Sequence, residues 1–512
     1  MGKICVLSRV ATSVRATVCR RPSPVPRCLR LAASALPHPS SSSRPLHTWV
    51  RSNGGQVADA VQITSFGDGG GYGLSAGQSV SAGDRLIMLN RRCMLTYDET
   101  CDPRLLAVID QVPAELWGAK LALQLLNHRL MAASSPYAAY IAQLPVGVAG
   151  VPIFFSREAI NALEYPPVTE QVKKRCRWLY DFSTKVLAGL AGAPGDPFGG
   201  AHVDINALGW ALACVTSRAF RVRGPSHPAA LLPLIDMCNH SFQPNCEVLP
   251  VEGGGCSLVA KHSIAAGDAL LISYGPLPND FLLMDYGFLQ PDNPHDRVQL
   301  RFDLDLIQVG VELARVYGPD QKPLELQPSR WQSRVLAQLG LQGPGANLEV
   351  TLGGSQLVDP RLVAATRVLL ARSEAELQGR NMMELGTLAL PLSRAAEVAT
   401  LRTLAGVAAM PLSRFSTPLQ QDQLMLGLNQ GKPGGDQSAS ASEPPPGQSV
   451  PSLADDLRMA IAFRAEKKKL LSAVIQGLGA RLQQVQEDKS LTKPAPRAPA
   501  TGTSGKGFGK QK

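Results

Sequence analysis

Residues 234–246 read LIDMCNHSFQPNC, an apolar run that changes abruptly into a polar one. The residues from Leu231 to Cys238 have the composition of a buried strand, and we predict a strand there. Polar groups that follow directly on a buried strand need hydrogen-bond partners or a ligand. The stretch therefore predicts a site at the end of a strand, with Asn239 and His240 at its centre.

A second transition of the same kind lies further along the chain. Residues 271–275 read LISYG, so that a strand brings Tyr274 to a turn, and the aromatic group Tyr286-Gly287-Phe288 follows. Strand-like runs also occur at 246–251 and at 256–264. The region around both transitions is therefore predicted to be rich in short strands.

The 512 residues are too many for one compact core, and two folded domains are expected. Strand-like runs and three helical patterns, at 114–133, 168–187 and 204–220, alternate between residues 57 and 303. We predict an α+β domain at 57–303, interrupted by a helical insertion over about 100–220.

The remainder of the chain has mainly helical spacing, and we predict a helical domain at 304–486. A Gly-, Ser- and Pro-rich linker at 429–452 divides it, and a basic tail at 487–512 is predicted to be disordered. Residues 453–488 form an amphipathic helix candidate, whose run Lys467-Lys468-Lys469 is expected on its solvated face.

The first 52 residues are rich in Arg, Ser, Ala and Pro, and the first acidic residue of the chain is Asp59. This composition is typical of an organellar transit peptide, so we predict a disordered leader at 1–52. Chloroplast and mitochondrion both fit, and the chloroplast stroma is preferred. The net charge of +10 is concentrated at the chain ends, so no nucleic-acid partner is expected. No apolar run is long enough to span a bilayer, and no membrane partner is expected.

The ten cysteines include no CxxC pair, which favours a reducing compartment over a disulfide framework. Cys238, His240, Cys246 and Cys256 lie close together in the sequence, but their spacing matches no common zinc module. We expect buried thiols there and no metal.

The run GYGLSA at 71–76 matches the dinucleotide-binding pattern G-x-G-x-x-A. That pattern requires a helix to follow, because the helix N-terminus holds the pyrophosphate. The residues that follow include Gly77 and Gly83, which favour a turn and another strand. We therefore predict a Gly-rich β-turn, at which backbone can approach a ligand closely.

Together, these motifs resemble those of the SET-domain protein methyltransferases. The run NHSFQPN at 239–245 and the strand ending in Tyr274-Gly275 are similar to two motifs of that family. The turn GYGL at 71–74, with Gly83-Asp84 behind it, resembles the family's first motif. The order of the three along the chain is that of the family.

The fuller resemblance is to the branch of the Rubisco large-subunit lysine methyltransferase. That branch has a helical insertion, a Ser-Arg element and a helical substrate-binding domain. Here the corresponding residues are Ser217-Arg218-Ala219-Phe220, Tyr286-Gly287-Phe288 and the run DLRMAIA at 456–462. The resemblance covers roughly residues 57–482.

The resemblance implies S-adenosylmethionine as cofactor and no metal. It implies that Tyr274 is catalytic, that Gly70, Gly71, Tyr72, Arg218, Asn239 and His240 bind the cofactor, and that Phe220, Tyr286 and Phe288 bind the substrate. Asp236 is interpreted as structural, capping the turn after its strand. Relatives often carry an acidic residue before the first motif, where this chain has glycines.

The function implied is protein-lysine N-methylation of a stromal protein such as the Rubisco large subunit or an aldolase, by a monomeric enzyme. A lysine acceptor needs a deprotonated amine, which an apolar aromatic channel favours. Two alternatives stay open. One is protein-histidine N-methylation on the same scaffold, and the other is a non-catalytic SET-like scaffold within an organellar complex.

Overall fold

The computed structural model describes residues 44–66, 71–148, 150–221, 227–318, 321–377, 379–390, 392–427 and 453–488. The predicted linker at 429–452, and the predicted tail from residue 489 onward, lie outside these residues. Most of the predicted leader does so as well.

Most of the strands lie in the first half of the described chain, where they flank the helices of the insertion, and helices dominate the second half. The strands are β1 (Gln56–Val57), β2 (Val61–Ser65), β3 (Tyr72–Ala76), β4 (Arg85–Leu89), β5 (Ala219–Phe220), β6 (Ala230–Leu231), β7 (Asn239–His240), β8 (Cys246–Val251), β9 (Gly255–Ala260), β10 (Leu271–Ile272), β11 (Arg297–Arg301) and β12 (Glu349–Gly353). The helices are α1 (Arg44–Ser52), α2 (Pro103–Ile109), α3 (Trp117–Leu130), α4 (Ala138–Ile141), α5 (Arg157–Ala162), α6 (Pro166–Phe182), α7 (Ile205–Arg218), α8 (Asn279–Phe281), α9 (Leu304–Leu313), α10 (Arg330–Gln338), α11 (Pro360–Leu370), α12 (Met382–Leu385), α13 (Arg394–Ser413), α14 (Leu419–Met425) and α15 (Asp455–Glu487).

The strands of the first half form several small sheets. The largest has four antiparallel strands in the order β1-β4-β9-β8, while β2 pairs antiparallel with β3. The run GYGLSA thus continues as strand β3 and opens no helix, as predicted. Strands β7 and β10 are parallel, with Asn239 opposite Leu271 and His240 opposite Ile272. This pairing places the two predicted motifs side by side.

The α+β class and the helical insertion are confirmed, since helices α2–α7 lie between β4 and β5. Helix α7 begins where its residue order predicts, because the Asp204 side chain accepts a hydrogen bond from the Ala207 backbone N–H at 2.8 Å. It ends at Arg218, directly before strand β5. The Ser-Arg element therefore lies at the junction between the insertion and the strands.

The strand predicted for residues 231–238 is wrong beyond Leu231. Leu234 has φ 70° and ψ −54°, and the turn Ile235–Met237 follows it. A non-glycine residue in this conformation costs about 1–3 kcal/mol, so surrounding contacts must offset the strain. Leu234 is fully buried, and the turn carries Asp236 to partners that a straight strand would not reach.

The prediction of a disordered leader up to residue 52 is wrong for its last nine residues, which form helix α1. Leu46 and Val50 of α1 are buried in the same core as the strands. The Trp49 indole N–H donates to the Pro136 carbonyl at 2.9 Å. Helix α1 therefore belongs to the folded domain, and the prediction of a leader applies only to residues before it.

Helix α15 confirms the predicted long helix, but its lysine run is not on a solvated face. Lys467 and Lys468 are almost fully buried, and only Lys469 is partly exposed. Each buried ammonium contacts carboxylates of other elements, which stabilise it away from water. The periodicity of the apolar residues could not reveal these distant carboxylates.

The predicted boundary at 303/304 does not separate two cores. Strand β11 precedes that boundary but pairs with β12 beyond it, with Val298 opposite Leu352. Phe155 and Leu163 of the insertion region belong to the same buried cluster as Phe463 of α15. The insertion and the helical domain thus share a core. Among the described helices, none has both the length and the apolar character that a membrane crossing requires.

Candidate active site

The parallel pairing of β7 and β10 brings Asn239-His240 next to Tyr274. The Tyr274 backbone N–H donates a hydrogen bond to His240 Nδ1 at 3.1 Å. Gly275 then turns the chain with φ 111°, a value that side-chain-bearing residues rarely adopt. The tyrosine is thereby held at the strand end that the sequence predicted.

The Tyr274 hydroxyl faces backbone, and it donates a hydrogen bond to the Cys238 carbonyl at 2.8 Å. Burial raises the pKa of Tyr274 well above its usual value. At neutral pH the side chain therefore carries its proton, so it acts as a hydrogen-bond donor rather than as a base.

Aromatic rings line one side of Tyr274. The Tyr286 ring stacks on the Tyr274 ring with 4.7 Å between centroids and 19° between planes. The Phe288 ring lies edge-on to both, at 6.5 Å from Tyr274 and 6.2 Å from Tyr286. Burial raises the pKa of Tyr286 to about 12. The three residues form a neutral aromatic wall at neutral pH.

Backbone geometry explains why a glycine stands between Tyr286 and Phe288. Gly287 has φ 75°, and a Cβ there would lie 2.8 Å from the Gly150 carbonyl carbon. A side chain at Gly150 would in turn meet the Gly287 carbonyl. The two aromatic residues therefore flank a point where two backbone segments touch, which orients both rings.

His240 has one bonded and one unbonded ring nitrogen. Nδ1 accepts the hydrogen bond from Tyr274, so the neutral ring carries its proton on Nε2. Nε2 is buried and has no hydrogen-bond partner among the described residues. Burial lowers the pKa of His240, so the ring is neutral at pH 7. A buried N–H donor without a partner indicates a place for a ligand acceptor.

Arg218 lies beside a buried carboxylate. Its guanidinium donates to the Asp236 backbone carbonyl at 3.2 Å and lies 3.6 Å from the Asp236 carboxylate. The Tyr140 hydroxyl donates to that carboxylate at 2.7 Å. Burial raises the pKa of Asp236, although Arg218 opposes the effect. Oδ1 of Asp236 is buried without a hydrogen-bond partner in the described part of the chain.

The backbone at the start of strand β3 also approaches this site, at the side chain of Asn239. A Cβ at Gly73 would lie 2.7 Å from the Asn239 side-chain nitrogen, so backbone and amide are in close approach. Gly71 has φ 59°, and Tyr72 is half exposed. Gly70 lies outside the described residues.

The structure thus brings together most of the predicted residues, but not all of them. Asn239, His240, Tyr274, Tyr286 and Phe288 form one connected group, and Arg218, bonded to Asp236, lies near enough to lower the pKa of Tyr274 against the effect of burial. Phe220 lies in strand β5, half buried, and makes no ring contact with the cluster within the described residues. The assigned roles of these residues stay predictions.

Sequence reasoning missed two contributors. Tyr140 comes from the helical insertion, and nothing in its surroundings distinguishes it from a core residue. Phe242 packs edge-on against His240 at 4.6 Å between centroids. Phe242 was visible within the run 234–246, but only the folded ring positions reveal that it extends the wall.

Two family models match the chain in succession. The SET domain model matches residues 71–275, and the Rubisco LSMT substrate-binding model matches residues 327–471. The chain is 27% identical over 456 residues to the actin-histidine N-methyltransferase of Danio rerio, covering 85% of this chain and 68% of that protein. It is 24% identical over 477 residues to the actin-histidine N-methyltransferase of Canis lupus familiaris, covering 90% and 73%.

Solved structures with the same fold also match. The structure of Rubisco LSMT bound to sinefungin and monomethyllysine superposes with a TM-score of 0.61 at 18% identity, covering 87% of this chain and 93% of that one. The SET domain of LSMT bound to lysine and AdoHcy gives a TM-score of 0.58 at 17% identity, over 87% and 93%. At these identities the likeness establishes the fold.

Proposed function

We propose that this chain, which belongs to the SET-domain family with a Rubisco LSMT-type substrate-binding domain, transfers a methyl group from S-adenosylmethionine to a lysine side chain of another protein. The observation that carries the proposal is the neutral aromatic wall of Tyr274, Tyr286 and Phe288, beside a ring nitrogen of His240 that has no hydrogen-bond partner among the described residues. The wall suits an amine, and the ring nitrogen suits the cofactor.

The residues present fit S-adenosylmethionine. His240 Nε2 and Asp236 Oδ1 are buried and lack partners among the described residues, so a polar ligand there would satisfy them. Arg218 uses one donor on the Asp236 carbonyl, and its side chain is 22% exposed, which leaves donors for a carboxylate. Gly73 and Asn239 would contribute backbone and amide contacts.

When bound, S-adenosylmethionine supplies an electrophilic methyl group on a sulfonium. The protein's own part is to position the acceptor and to keep it uncharged. The apolar faces of Tyr286 and Phe288 disfavour an ammonium and so lower the pKa of an entering lysine. Tyr274 remains protonated and cannot take the lysine proton, so that proton must leave to water before transfer.

A histidine acceptor is the second candidate, because the curated relatives are named actin-histidine N-methyltransferases. An imidazole needs a partner for its second ring nitrogen, so that the first presents a lone pair. The ring faces of Tyr286 and Phe288 beside Tyr274 disfavour a charged acceptor, which suits a lysine amine that must lose its proton before transfer. The two acceptors differ enough in pKa for a kinetic separation.

The test is to incubate the protein with methyl-labelled S-adenosylmethionine in two parallel reactions. One contains a stromal extract and the other contains a mitochondrial extract. We expect a labelled stromal protein whose methyl group maps to lysine by mass spectrometry. Tyr274→Phe should lower the labelling about 100-fold or more, since loss of the positioning hydroxyl misplaces the reacting groups.

A different experimental outcome would contradict each part of the proposal. Methylhistidine in the labelled protein would exclude the lysine assignment. Labelling confined to the mitochondrial extract would exclude the stromal target. Labelling by the Tyr274→Phe variant at the wild-type level would contradict the proposed catalytic role of Tyr274. Calorimetry that shows no binding of S-adenosylmethionine would favour the non-catalytic scaffold.

A further inference from the structure

The rings of Tyr286 and Phe288 lie on one closed segment, residues 279–290, which runs from helix α8 through a π-helical turn at Leu282–Tyr286 and which we call the aromatic loop. Asn279 and Gln290 join its ends: the Asn279 amide donates to the Gln290 carbonyl at 3.1 Å, and the Gln290 N–H donates back to Asn279 Oδ1 at 3.0 Å. Tyr286 and Phe288 lie between these ends. Any shift of the closed ends therefore moves the rings that face Tyr274.

Lys467 of helix α15 lies beneath these ends and is fully buried. Its ammonium is ion-paired with Asp280 of the aromatic loop and donates to Asp296 Oδ1 at 2.8 Å. Asp296 Oδ1 also accepts the Asn279 backbone N–H at 3.0 Å. One ammonium thus contacts the first turn of the loop and the carboxylate that anchors Asn279.

The contact between Lys467, Asp280 and Asp296 places three charged groups away from water. A buried ammonium and two buried carboxylates are tolerated only in contact with one another, because each alone would lose its hydration without compensation. The Lys467 ammonium also donates to the Arg297 carbonyl at 2.8 Å, and it lies 5.2 Å from the centroid of the Tyr165 ring. Helix α15 and the loop are therefore held at a defined separation.

A second cation holds the far end of the loop. Arg175 of helix α6 donates to the Met284 carbonyl at 3.0 Å and pairs with Asp285 at 2.7 Å, directly before Tyr286. The aromatic loop is thus bound by Arg175 of the insertion at one position and by Lys467 of the helical domain at another. Both contacts are ionic; that of Arg175 lies directly before Tyr286, and that of Lys467 lies at the first turn of the aromatic loop.

We propose that Lys467 is a positioning residue for the methyl-acceptor channel, holding the aromatic loop through Asp280 and Asp296 so that Tyr286 stays stacked on Tyr274. The inference rests on the proposed function only in that Tyr286 is assigned to the acceptor channel. The helical domain then contributes to the active site itself, and not only to the capture of a protein substrate.

The chain offers a matched control in the next residue. Lys468 is buried to the same degree on the same helix, but its ammonium binds Asp422 and Thr417, within the helical domain. Lys467→Met and Lys468→Met therefore both remove a buried charge from α15. Only the first removes a contact with the aromatic loop.

The experiment compares these two variants in the full chain. Hydrogen exchange by mass spectrometry should show residues 281–289 exchanging at least tenfold faster in Lys467→Met and unchanged in Lys468→Met. Methyl-transfer kinetics should show kcat at least tenfold lower in Lys467→Met, with the KM for S-adenosylmethionine within twofold of the wild type. Lys468→Met should keep kcat within twofold at a temperature where both variants are folded.

Equal exchange of the loop in both variants would overturn the proposal, and so would equal kcat values. If Lys467→Met does not fold, Asp280→Asn replaces it, since Lys467 then keeps Asp296 and the Arg297 carbonyl; loop exchange as slow as in the wild type would equally overturn the proposal. The exchange readout needs no activity. A wild type that transfers no methyl group while Lys467 still governs exchange would refute the proposed function alone.

Discussion

At the scale of single residues, Asp236 holds Arg218 and Tyr140 in place next to the candidate active site. Its side chain is fully buried, accepts the Tyr140 hydroxyl, and lies beside the Arg218 guanidinium. Burial raises the pKa of Asp236, and the carboxylate in turn raises the pKa of Arg218 against the effect of that residue's own burial. Because Arg218 is also the proposed partner of the cofactor's carboxylate, its contribution to folding and its proposed contribution to binding have to be measured separately.

We expect Arg218→Met to lower the free energy of unfolding by about 3–5 kcal/mol, because it leaves a carboxylate buried without its cation. Adding Asp236→Asn should recover most of that loss. Cofactor binding should be lost in both variants, since both lack the guanidinium. Urea unfolding and titration calorimetry with S-adenosylmethionine measure the two effects. Recovery of binding in the double variant would show that Arg218 is structural only.

The pH dependence of turnover is also decided by single groups. Tyr274 stays protonated because its pKa is raised, and His240 stays neutral because its pKa is lowered, so neither titrates between about pH 7 and 9. A free lysine, with a pKa of about 10.4, gains neutral fraction tenfold per pH unit in that range. A free histidine, with a pKa of about 6.5, is already neutral.

We therefore expect kcat/KM on a peptide acceptor to rise about tenfold per unit from about pH 7 to 9 for a lysine target. Initial rates with labelled cofactor in buffers of constant ionic strength give the profile. A peptide with the acceptor lysine replaced by arginine is the control. A profile that is flat above about pH 7.5 would contradict a lysine acceptor and favour histidine.

At the scale of elements, helix α1 shows that the folded domain starts earlier than the composition suggested. Its buried Leu46 and Val50 join the core built by the strands, and Trp49 bonds to the insertion. Arg51, by contrast, pairs with Asp59 at the surface. The same helix thus contains core residues and a surface residue for comparison.

Removal of residues 1–52 should lower the free energy of unfolding by about 3–6 kcal/mol more than removal of residues 1–43 does. This difference follows from about 1.5–3 kcal/mol for each of the two buried side chains. Arg51→Ala, which removes an exposed ion pair, should cost at most about 1 kcal/mol. Chemical unfolding of the three proteins measures the differences. Equal stability of the two truncated proteins would show that α1 does not contribute to the core.

At the scale of the whole molecule, the insertion and the helical domain share one buried cluster. Leu163 of the insertion and Leu401 of helix α13 are both buried in it, and β11 pairs with β12 across the predicted boundary. The ion pairs of Lys467 add contacts between the same parts. A division of the chain at residue 303 would therefore expose apolar surface on both pieces.

We expect the parts around Leu163 and Leu401 to unfold in the same calorimetric transition, since both residues lie in one buried cluster. Leu163→Ala and Leu401→Ala should each destabilise that same transition by about 2–5 kcal/mol, because each leaves a cavity in the shared core. Differential scanning calorimetry measures both. Two separate transitions, each sensitive to only one of the variants, would contradict a shared core.

The sequence alone predicted the features that depend on neighbours in the chain. The strand at Cys246–Val251, the helix Ile205–Arg218 and the strand Tyr72–Ala76 in place of a helix all follow from local periodicity, capping and glycine placement. The run 234–246 and Tyr274 identified the centre of the site, because polar and aromatic residues placed directly after strands need partners.

Only the tertiary structure decided the features that depend on partners far apart in the chain. Tyr140 reaches Asp236, and Lys467 reaches Asp280, across separations that no local pattern encodes. For the same reason Lys467 looked like a solvated charge, Leu234 like an ordinary strand residue, and α1 like part of a leader. A buried charge or a strained turn is stable only where the folded chain supplies its counterpart, so its environment is a property of the fold and not of the segment.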